Sequence, residues 1–201
     1  MTKVSIVDYG VGNLHSIRRG IELAGADVMV TIERTEIEAA DAIVLPGVGA
    51  FESAMDGLKD KFGVIMEAVR AGKPLLGICL GMQLLLTRSE EGNSKGLNII
   101  PGEVVRLPSG LKVPHMGWNS LELRRENPIL AGIASGSYMY FVHSYYARPK
   151  DSSTILTTTD YGVEFPSIIA QDSIIGVQFH PEKSSKIGLQ LLQNFVEMVK
   201  G

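Results

Sequence analysis

Hydrophobic positions in the first half of the chain follow two alternating spacings. Short runs of apolar and β-branched residues predict strands at residues 3–8, 27–32, 42–45 and 74–78. Between the first two runs, Leu14, Ile17 and Ile21 recur at helical spacing. Gly25 follows as a helix stop. Strands that alternate with helices in this way are typical of a parallel sheet with helices packed on its faces.

Two further stretches of the first half predict helices. Residues 51–71 carry two successive helical patterns, and residues 80–86 carry a short one. The short pattern begins directly after the apolar run at residues 74–78, with Cys79 between the two. This cysteine is therefore predicted at the junction of a buried strand and a helix.

The pattern changes after Gly92. Closely spaced strand candidates, separated by Gly, Pro and Asp, lie at residues 138–147, 155–159, 167–171 and 174–179. We expect Ser184 to cap a terminal helix with Leu191, Phe195 and Val199 on one face. The predicted fold is α/β, with a mixed, largely parallel central sheet flanked by helices and a smaller antiparallel sheet portion in the second half. Since no repeat or linker-like stretch divides it, we expect one domain over residues 1–201.

Composition excludes several classes of function. The 201 residues are 45% hydrophobic and 20% charged, as in a globular protein. The net charge is −3 without runs of like charge, so nucleic acid is not an expected partner. The longest apolar stretch, residues 74–86, is shorter than the roughly 20 residues of a membrane span. Asp8 interrupts any early secretion signal. A single cysteine excludes an internal disulfide and fits the reducing cytoplasm, which is the expected location.

Gly77-Ile78-Cys79-Leu80-Gly81 has the form of a nucleophile elbow. At such a turn the nucleophile has a strained backbone, and flanking glycines let the strand and helix pass close together. The start of the helix favours the thiolate over the thiol. A lone cysteine among apolar residues is otherwise a small core side chain. The elbow alone leaves both interpretations open.

His180 is the best candidate for a general base among the four histidines. A strand pattern leads into His180-Pro181-Glu182, and the period of two would place His180 and Glu182 on one side of an extended chain. The carboxylate would then fix the imidazole tautomer. His-x-Glu is weak by itself and also fits a surface strand end. Cys79, His180 and Glu182 together are the residue types of a cysteine triad.

Two other uses of these groups are less favoured. A single cysteine without His-x-x-x-His or paired-cysteine spacing does not favour a metal site, and no metal is expected. An α/β serine hydrolase has the order nucleophile, acid, histidine, whereas here the acid follows the histidine.

An oxyanion hole made of backbone N–H groups is the third requirement of the chemistry. Leu80, which follows the nucleophile, supplies one donor by elbow geometry. In Pro46-Gly47-Val48-Gly49, the flanking glycines allow the Val48 peptide to turn toward the sulfur. An ordinary strand-to-helix turn is the alternative for this loop.

These motifs resemble those of the class I glutamine amidotransferases. The resemblance rests on residues 77–83, the loop at 46–49 and Gln-Phe-His-Pro-Glu at 178–182. Within that class the chain is similar to the family of glutaminase subunits of imidazole glycerol phosphate synthases, through residues 8–13, 114–119, 141–145 and 183–185. The similarity spans the full length. It implies a flavodoxin-like three-layer fold and a Cys79-His180-Glu182 triad.

The resemblance also implies a reaction and its binding residues. Cys79 would attack the side-chain amide of L-glutamine, Val48 and Leu80 would hold the oxyanion, and water would hydrolyse a glutamyl thioester. Substrate contacts would come from Gly49, Gln83, Glu91, Ser144 and Tyr145. Glu91 is alternatively a solvated charge beside Glu90. No cofactor is implied.

A partner is implied as well, because ammonia released into water is protonated and no longer nucleophilic. In the family this partner is a (β/α)8-barrel cyclase subunit that forms a heterodimer with the glutaminase. Trp118, Tyr140 and Lys183 match positions facing the cyclase; otherwise they would be a core aromatic, a strand residue and a solvated charge. A stand-alone Cys-His thiol hydrolase, a catalytically idle binding subunit and the glutaminase subunit of another amidotransferase, such as anthranilate synthase, remain alternatives.

Overall fold

The computed structural model describes residues 1–92 and 94–200. Its strands are β1 (Lys3–Val7), β2 (Asp27–Thr31), β3 (Ala42–Leu45), β4 (Leu75–Ile78), β5 (Arg88–Ser89), β6 (Gly102–Arg106), β7 (His115–Ser120), β8 (Glu122–Leu123), β9 (Tyr138–His143), β10 (Tyr145–Pro149), β11 (Ile155–Asp160), β12 (Glu164–Gln171) and β13 (Ile174–Val177). Its α-helices are α1 (Leu14–Leu23), α2 (Arg34–Ala39), α3 (Phe51–Leu58), α4 (Phe62–Arg70), α5 (Leu80–Leu84) and α6 (Ser185–Lys200). Turns of 3₁₀ helix lie at Lys59–Lys61, Pro128–Leu130, Ser152–Thr154 and Pro181–Lys183.

The central sheet has eight strands in the order β2-β1-β3-β4-β13-β12-β11-β8. Its first five strands are parallel, and the remaining three pair antiparallel. Two smaller sheets, β10-β6-β5 and β7-β9, complete the second half. The predicted mixed, largely parallel sheet with an antiparallel portion is confirmed.

Buried side chains cover both faces of the central sheet. On one face, α1 and α6 pack through residues such as Ile21 and Phe195. On the other, α3 and α4 pack through residues such as Phe51 and Ile65. Each such buried side chain contributes roughly 1.5–3 kcal/mol relative to an exposed one. The result is the expected three-layer arrangement, while the assignment of residues 1–201 to one domain stays a prediction.

The order of the parallel strands positions the site. Adjacent strands β3, β4 and β13 run in the same direction, so their carboxyl ends meet at one edge of the sheet. Those ends lead into residues 46–49, Cys79 and residues 178–182, respectively. Ligand sites of open α/β sheets lie at this edge. The sheet therefore brings together three sequence motifs that are far apart in the chain.

The single strand predicted at residues 138–147 is wrong. The chain breaks at Ser144, because β9 pairs with β7 whereas β10 pairs with β6 in another sheet. The Ser144 carbonyl accepts the Leu107 N–H at the break. One apolar run thus contributes strands to two sheets, and the break between these strands leaves backbone groups accessible beside the carboxyl-end edge of the central sheet.

Two predictions about helices also differ from the structure. The Ser184 hydroxyl does not cap the terminal helix, because it donates to the His180 carbonyl at 2.6 Å and accepts the Tyr140 N–H at 3.0 Å. On that helix Leu191 and Phe195 are buried as predicted, whereas Val199 is half-buried. Helix α2 was not predicted, since Ile37 is its one buried residue. No helix in residues 1–92 or 94–200 is long and apolar enough to cross a membrane.

Candidate active site

Cys79 has the strained backbone that the elbow motif predicts. It lies between β4 and α5 with φ 54° and ψ −105°, outside the favourable regions for a residue with a Cβ. The glycine after it is required for packing, because a Cβ on Gly81 would collide with the Leu45 carbonyl oxygen. Cys79 itself is 5% exposed. The close passage of strand and helix thus fixes the sulfur at the edge of the sheet.

His180 and Glu182 form a buried pair. His180 Nδ1 lies 2.9 Å from Glu182 Oε1, and the two side chains are 3% and 1% exposed. The extended chain predicted for this segment is wrong, because β13 ends at Val177 and Pro181–Lys183 is a 3₁₀ turn. Pro181 favours this turn through its fixed φ. The predicted contact therefore exists, but a turn rather than strand alternation produces it.

The surroundings of His180 favour its protonated form. Burial opposes the charge, but the Cys79 sulfur and the Glu182 carboxylate outweigh burial and raise the pKa of His180 to about 9. Within the described residues, His180 Nε2 has no hydrogen-bond partner. Nδ1 is held by Glu182, so Nε2 is the nitrogen free to exchange a proton with a reacting group.

The two predicted oxyanion donors do not converge in this structure. The Leu80 N–H donates to the Gly47 carbonyl at 3.4 Å. Since a trans peptide directs its C=O and N–H oppositely, the Val48 N–H points away from the Leu80 donor. Val48 is 44% exposed, and Gly49 has φ +123°. The predicted oxyanion hole would therefore require rotation of the Gly47–Val48 peptide, and the role of Val48 in it stays a prediction.

The Tyr9 hydroxyl anchors the peptide just before this loop. It donates to the Pro46 carbonyl and is buried beneath it. Burial raises the pKa of Tyr9, and the nearby Cys79 sulfur raises it further. The hydroxyl therefore stays protonated and acts as a donor, which fixes one end of the Pro46–Gly49 loop.

All five predicted substrate contacts surround one cavity. Gly49, Gln83, Glu91, Ser144 and Tyr145 line a cavity of about 300 Å³ that Cys79 also reaches. Larger cavities, of about 370, 410 and 480 Å³, have none of Cys79, His180 and Glu182 in their walls. Chemistry rather than volume identifies the site.

Glu91 is held in the wall of this cavity. One of its carboxylate oxygens accepts the Phe51 N–H at the start of α3 at 3.0 Å. A carboxylate at a helix start is stabilised by the partial positive charge there. The Glu91 carboxylate is therefore partly buried and hydrogen-bonded in the cavity wall, and its contact with a substrate ammonium group stays a prediction.

Sequence reasoning missed a buried histidine pair, His115 and His143, of which His143 lines the cavity. His115 Nδ1 lies 2.9 Å from His143 Nε2, and His143 Nδ1 lies 2.9 Å from the Tyr145 carbonyl. Because a carbonyl only accepts, His143 carries its proton on Nδ1, and His115 Nδ1–H donates to it. Asn119 Nδ2 lies 3.3 Å from the remaining His115 nitrogen. The cross-strand register of β7 and β9, unknown from sequence, places the two rings together.

Both histidines of this pair are neutral. Burial lowers the pKa of His115 to about 4. Burial also lowers the pKa of His143 to about 3, against the favourable hydrogen bond to Tyr145. The pair therefore supports the Tyr145 backbone at the cavity without carrying charge.

The three predicted partner-facing residues lie beside the triad turn. Trp118 is 52% exposed, so the core-aromatic alternative is wrong. Its ring meets Tyr140 edge-on at 5.9 Å across the β7–β9 ribbon. The Tyr140 carbonyl accepts the His180 N–H at 2.9 Å, and exposed Lys183 lies in the following turn. This exposed ribbon is thus bonded directly to the segment that carries the triad histidine.

The described residues include no group of three or more His, Cys, Asp or Glu side chains arranged to hold a metal ion. His180 and Glu182 are engaged with each other, and Cys79 is the free thiol beside them. The arrangement provides a nucleophile, a proton donor and a carboxylate that stabilises the imidazolium. It suits acyl transfer from an amide or ester.

Comparison with known proteins agrees with this chemistry. The family described as "Glutamine amidotransferase class-I" matches residues 5–199. The chain is 52% identical to the imidazole glycerol phosphate synthase subunit HisH of Natronomonas pharaonis, over 97% of this chain and 94% of that protein. It is 50% identical to the subunit of the same name from Geobacter sulfurreducens, over 98% of this chain and all 100% of that protein.

Solved structures share the fold at lower identity. PurLQS from Thermotoga maritima matches with a TM-score of 0.75 and 17% identity, over 98% of each chain. At that identity the likeness supports the architecture alone, whereas the sequence matches span nearly the whole chain at about half identity. This protein belongs to the class-I glutamine amidotransferase family, within the branch of imidazole glycerol phosphate synthase HisH subunits.

Proposed function

We propose that this protein hydrolyses L-glutamine to L-glutamate and ammonia as the glutaminase subunit of an imidazole glycerol phosphate synthase. The observation that carries the proposal is the His180–Glu182 pair beside Cys79, at the wall of a cavity lined by acceptors and backbone groups. The names of the relatives support the choice of synthase.

The first step is attack of the Cys79 thiolate on the side-chain amide carbon of glutamine. The carbonyl oxygen becomes an oxyanion, and Leu80 N–H is the donor nearest the sulfur in sequence. Protonated His180 gives a proton from Nε2 to the leaving nitrogen, so ammonia departs and a glutamyl thioester remains. The Glu182 carboxylate stabilises the imidazolium throughout.

Water completes the cycle. His180, now neutral, takes a proton from water, which adds to the thioester carbonyl. The second tetrahedral intermediate collapses to glutamate, and sulfur leaves as thiolate while His180 is again protonated. The balanced reaction is glutamine plus water to glutamate plus ammonia.

Substrate orientation follows from the cavity walls. In this proposal the Glu91 carboxylate, which lines the cavity, binds the α-ammonium group of glutamine. Both Gln83 N–H groups are engaged within the protein, to the Tyr145 carbonyl and Gln178 Oε1, so its carbonyl oxygen is the atom left for substrate. Gly49 and the backbone at Ser144 and Tyr145 complete the wall around the amino-acid end.

The separate subunit that receives ammonia is, in this proposal, a (β/α)8-barrel cyclase bound in a heterodimer. Large apolar side chains are exposed around the site: Val48, Met116, Trp118 and Tyr138 are between 44% and 62% exposed. Isolated surface residues of this kind need no explanation, but clustered ones favour a protein partner. Lys183 supplies a positive charge at the same surface.

The test of this proposal is glutamate formation by the parent and by Cys79→Ser, each with and without the purified cyclase subunit and its nucleotide substrate. We expect the parent rate to rise with the partner and the variant to be inactive in both states, because an alcohol is a far weaker nucleophile. A parent rate that the cyclase leaves unchanged would contradict the subunit assignment. Hydrolysis of peptides or simple esters in place of glutamine would favour the stand-alone thiol hydrolase.

A Trp118→Ala variant tests the partner surface. Its indole is half exposed, so the change should leave the fold intact while lowering affinity for the cyclase or letting ammonia escape. The measurement is the ratio of glutamate to cyclised product. Met29→Ala, on the distant edge strand β2, is the matched control and should keep a ratio of one. A ratio of one in Trp118→Ala at parental affinity would remove this residue from the interface.

A further inference from the structure

Gln178 is a buried amide that contacts the nucleophile. It follows β13 and has no exposed surface. Its Nε2 lies 3.7 Å from the Cys79 sulfur, within hydrogen-bonding distance for a sulfur acceptor. The triad chemistry described above assigns this side chain no role. Unlike Gln83, it does not line the cavity, so it meets the sulfur from within the protein.

The orientation of the Gln178 amide is determined by its neighbours. The Tyr145 carbonyl only accepts, so the Gln83 atom 2.9 Å from it is the NH₂ group. The same NH₂ group lies 3.2 Å from Gln178, which must therefore present its oxygen. The Gln178 NH₂ group is left facing Cys79. His143 fixes the Tyr145 carbonyl from the other side.

We infer that Gln178 stabilises the Cys79 thiolate by donating a side-chain N–H hydrogen bond to its sulfur, with Gln83 holding the amide in that orientation. The inference rests on the proposed glutaminase function. A donor to a charged acceptor forms a bond roughly twice as strong as one to a neutral acceptor. The Val142 carbonyl, 3.6 Å from the sulfur, accepts the thiol proton and favours the uncharged form. Gln178 and His180 oppose that preference.

The variant Gln178→Met tests this contact, because methionine has a similar length and no N–H donor. Cys79 is the single cysteine, so iodoacetamide alkylation of the full chain reports on this sulfur alone. We expect the midpoint of the alkylation rate against pH to rise by about one pH unit. In the complex with the cyclase subunit, kcat for glutamine should fall about tenfold while KM changes less than about threefold, since Gln178 lies outside the cavity.

Ser167→Ala is the matched control. Ser167 lies on β12, the strand next to β13, and its change to Ala removes a buried hydrogen bond of 2.8 Å to Thr157 on β11 without touching the sulfur. The variant's midpoint of unfolding in denaturant should fall, because a buried hydrogen bond is lost, and its alkylation midpoint should equal that of the parent. A parental midpoint in Gln178→Met, or a large rise of KM alone, would overturn the inference.

A measurement on the parent keeps the inference testable if Gln178→Met does not fold. In NMR spectra, the side-chain NH₂ resonances of Gln178 should shift when Cys79 is alkylated, whereas those of Gln190, bonded to Asn194 on α6, should not. Unshifted Gln178 resonances would overturn the contact. Neither alkylation nor NMR requires turnover, so a parent that fails to hydrolyse glutamine but shows both effects would refute the proposed function alone.

Discussion

Two histidine environments lie side by side in this molecule and have opposite protonation states. His180 has its pKa raised to about 9, whereas the pKa values of His115 and His143 are lowered to about 4 and about 3. All three rings are 5% exposed or less. Burial alone therefore does not decide the charge of an imidazole here: it lowers the pKa of all three rings, and only at His180 do the partners outweigh it.

The partners differ in kind. His180 faces a buried carboxylate and a sulfur, both of which stabilise a positive charge. His143 faces a neutral ring and a backbone carbonyl, and a protonated His115 would repel it. His180 is thus protonated and, in the proposed reaction, supplies the proton for the leaving ammonia. The environment of His115 and His143 fixes two neutral tautomers that support the cavity wall.

The largest expected effect comes from removing the charged member. His180→Asn loses the proton donor for ammonia, so kcat for glutamine should drop at least roughly a thousandfold. His143→Gln keeps the triad, so kcat/KM for glutamine should fall by no more than about tenfold. The loss should come mainly from a higher KM, because the change loosens the Tyr145 backbone. Steady-state kinetics in the complex compare the two variants. If both variants lost the same activity, the two histidine environments would not differ in function.

A smaller effect is expected when His180 keeps its ring but loses its carboxylate. Glu182→Gln leaves the base in place and removes a charge that raises the pKa of His180. We expect kcat to decrease roughly a hundredfold, and the pKa of His180 to move toward its ordinary value. Titration of the ring by ¹⁵N NMR measures the second quantity. An unchanged His180 pKa would mean that Glu182 is not the cause of the difference in pKa between His180 and the pair His115 and His143.

The smallest effects concern stability against pH. The native pKa values of His115 and His143 lie below the unfolded value near 6.5, so stability should be lost as pH falls from about 6.5 toward 4 and 3. His180 has a raised native pKa; its contribution is complete below about 6.5 and is lost as pH rises toward 9.

Denaturant unfolding at a series of pH values measures both limbs of this profile. Each pKa unit of difference corresponds to about 1.4 kcal/mol. His143→Gln should flatten the acid limb, and His180→Asn should flatten the alkaline limb. A His143→Gln profile parallel to that of the parent below pH 6 would contradict the neutral-pair assignment.

The sequence predicted those parts of the site that depend on local chain order. Strand ends, the elbow at Cys79 and the residue types of the triad are local features, and parallel neighbours β3, β4 and β13 place them together. Glycines around the elbow have a steric cause that the motif encodes. Fold class follows from the same alternation of strands and helices.

Features that depend on tertiary pairing were not predicted. The break at Ser144 arises because one apolar run pairs with two sheets. Ser184 was predicted as a helix cap, but its hydroxyl instead forms hydrogen bonds with the backbone of Tyr140 and His180. The His180–Glu182 contact was predicted for the wrong reason, since a proline-led turn closes it. The orientation of the Gly47–Val48 peptide was not predicted either, because the flanking glycines allow the peptide to rotate and the sequence does not specify which orientation it adopts.

The His180 N–H donates to the Tyr140 carbonyl, so hydrogen exchange at this amide depends on the contact between β9 and the triad turn. Deuterium can replace that proton only when β9 and the triad turn separate. The exchange rate at this one amide therefore measures how often the exposed ribbon detaches from the catalytic turn. A ligand bound at Trp118 would hold the ribbon in place and slow exchange at the His180 amide, which the ligand does not contact. The exchange rate of this amide therefore measures whether the Trp118 surface is occupied.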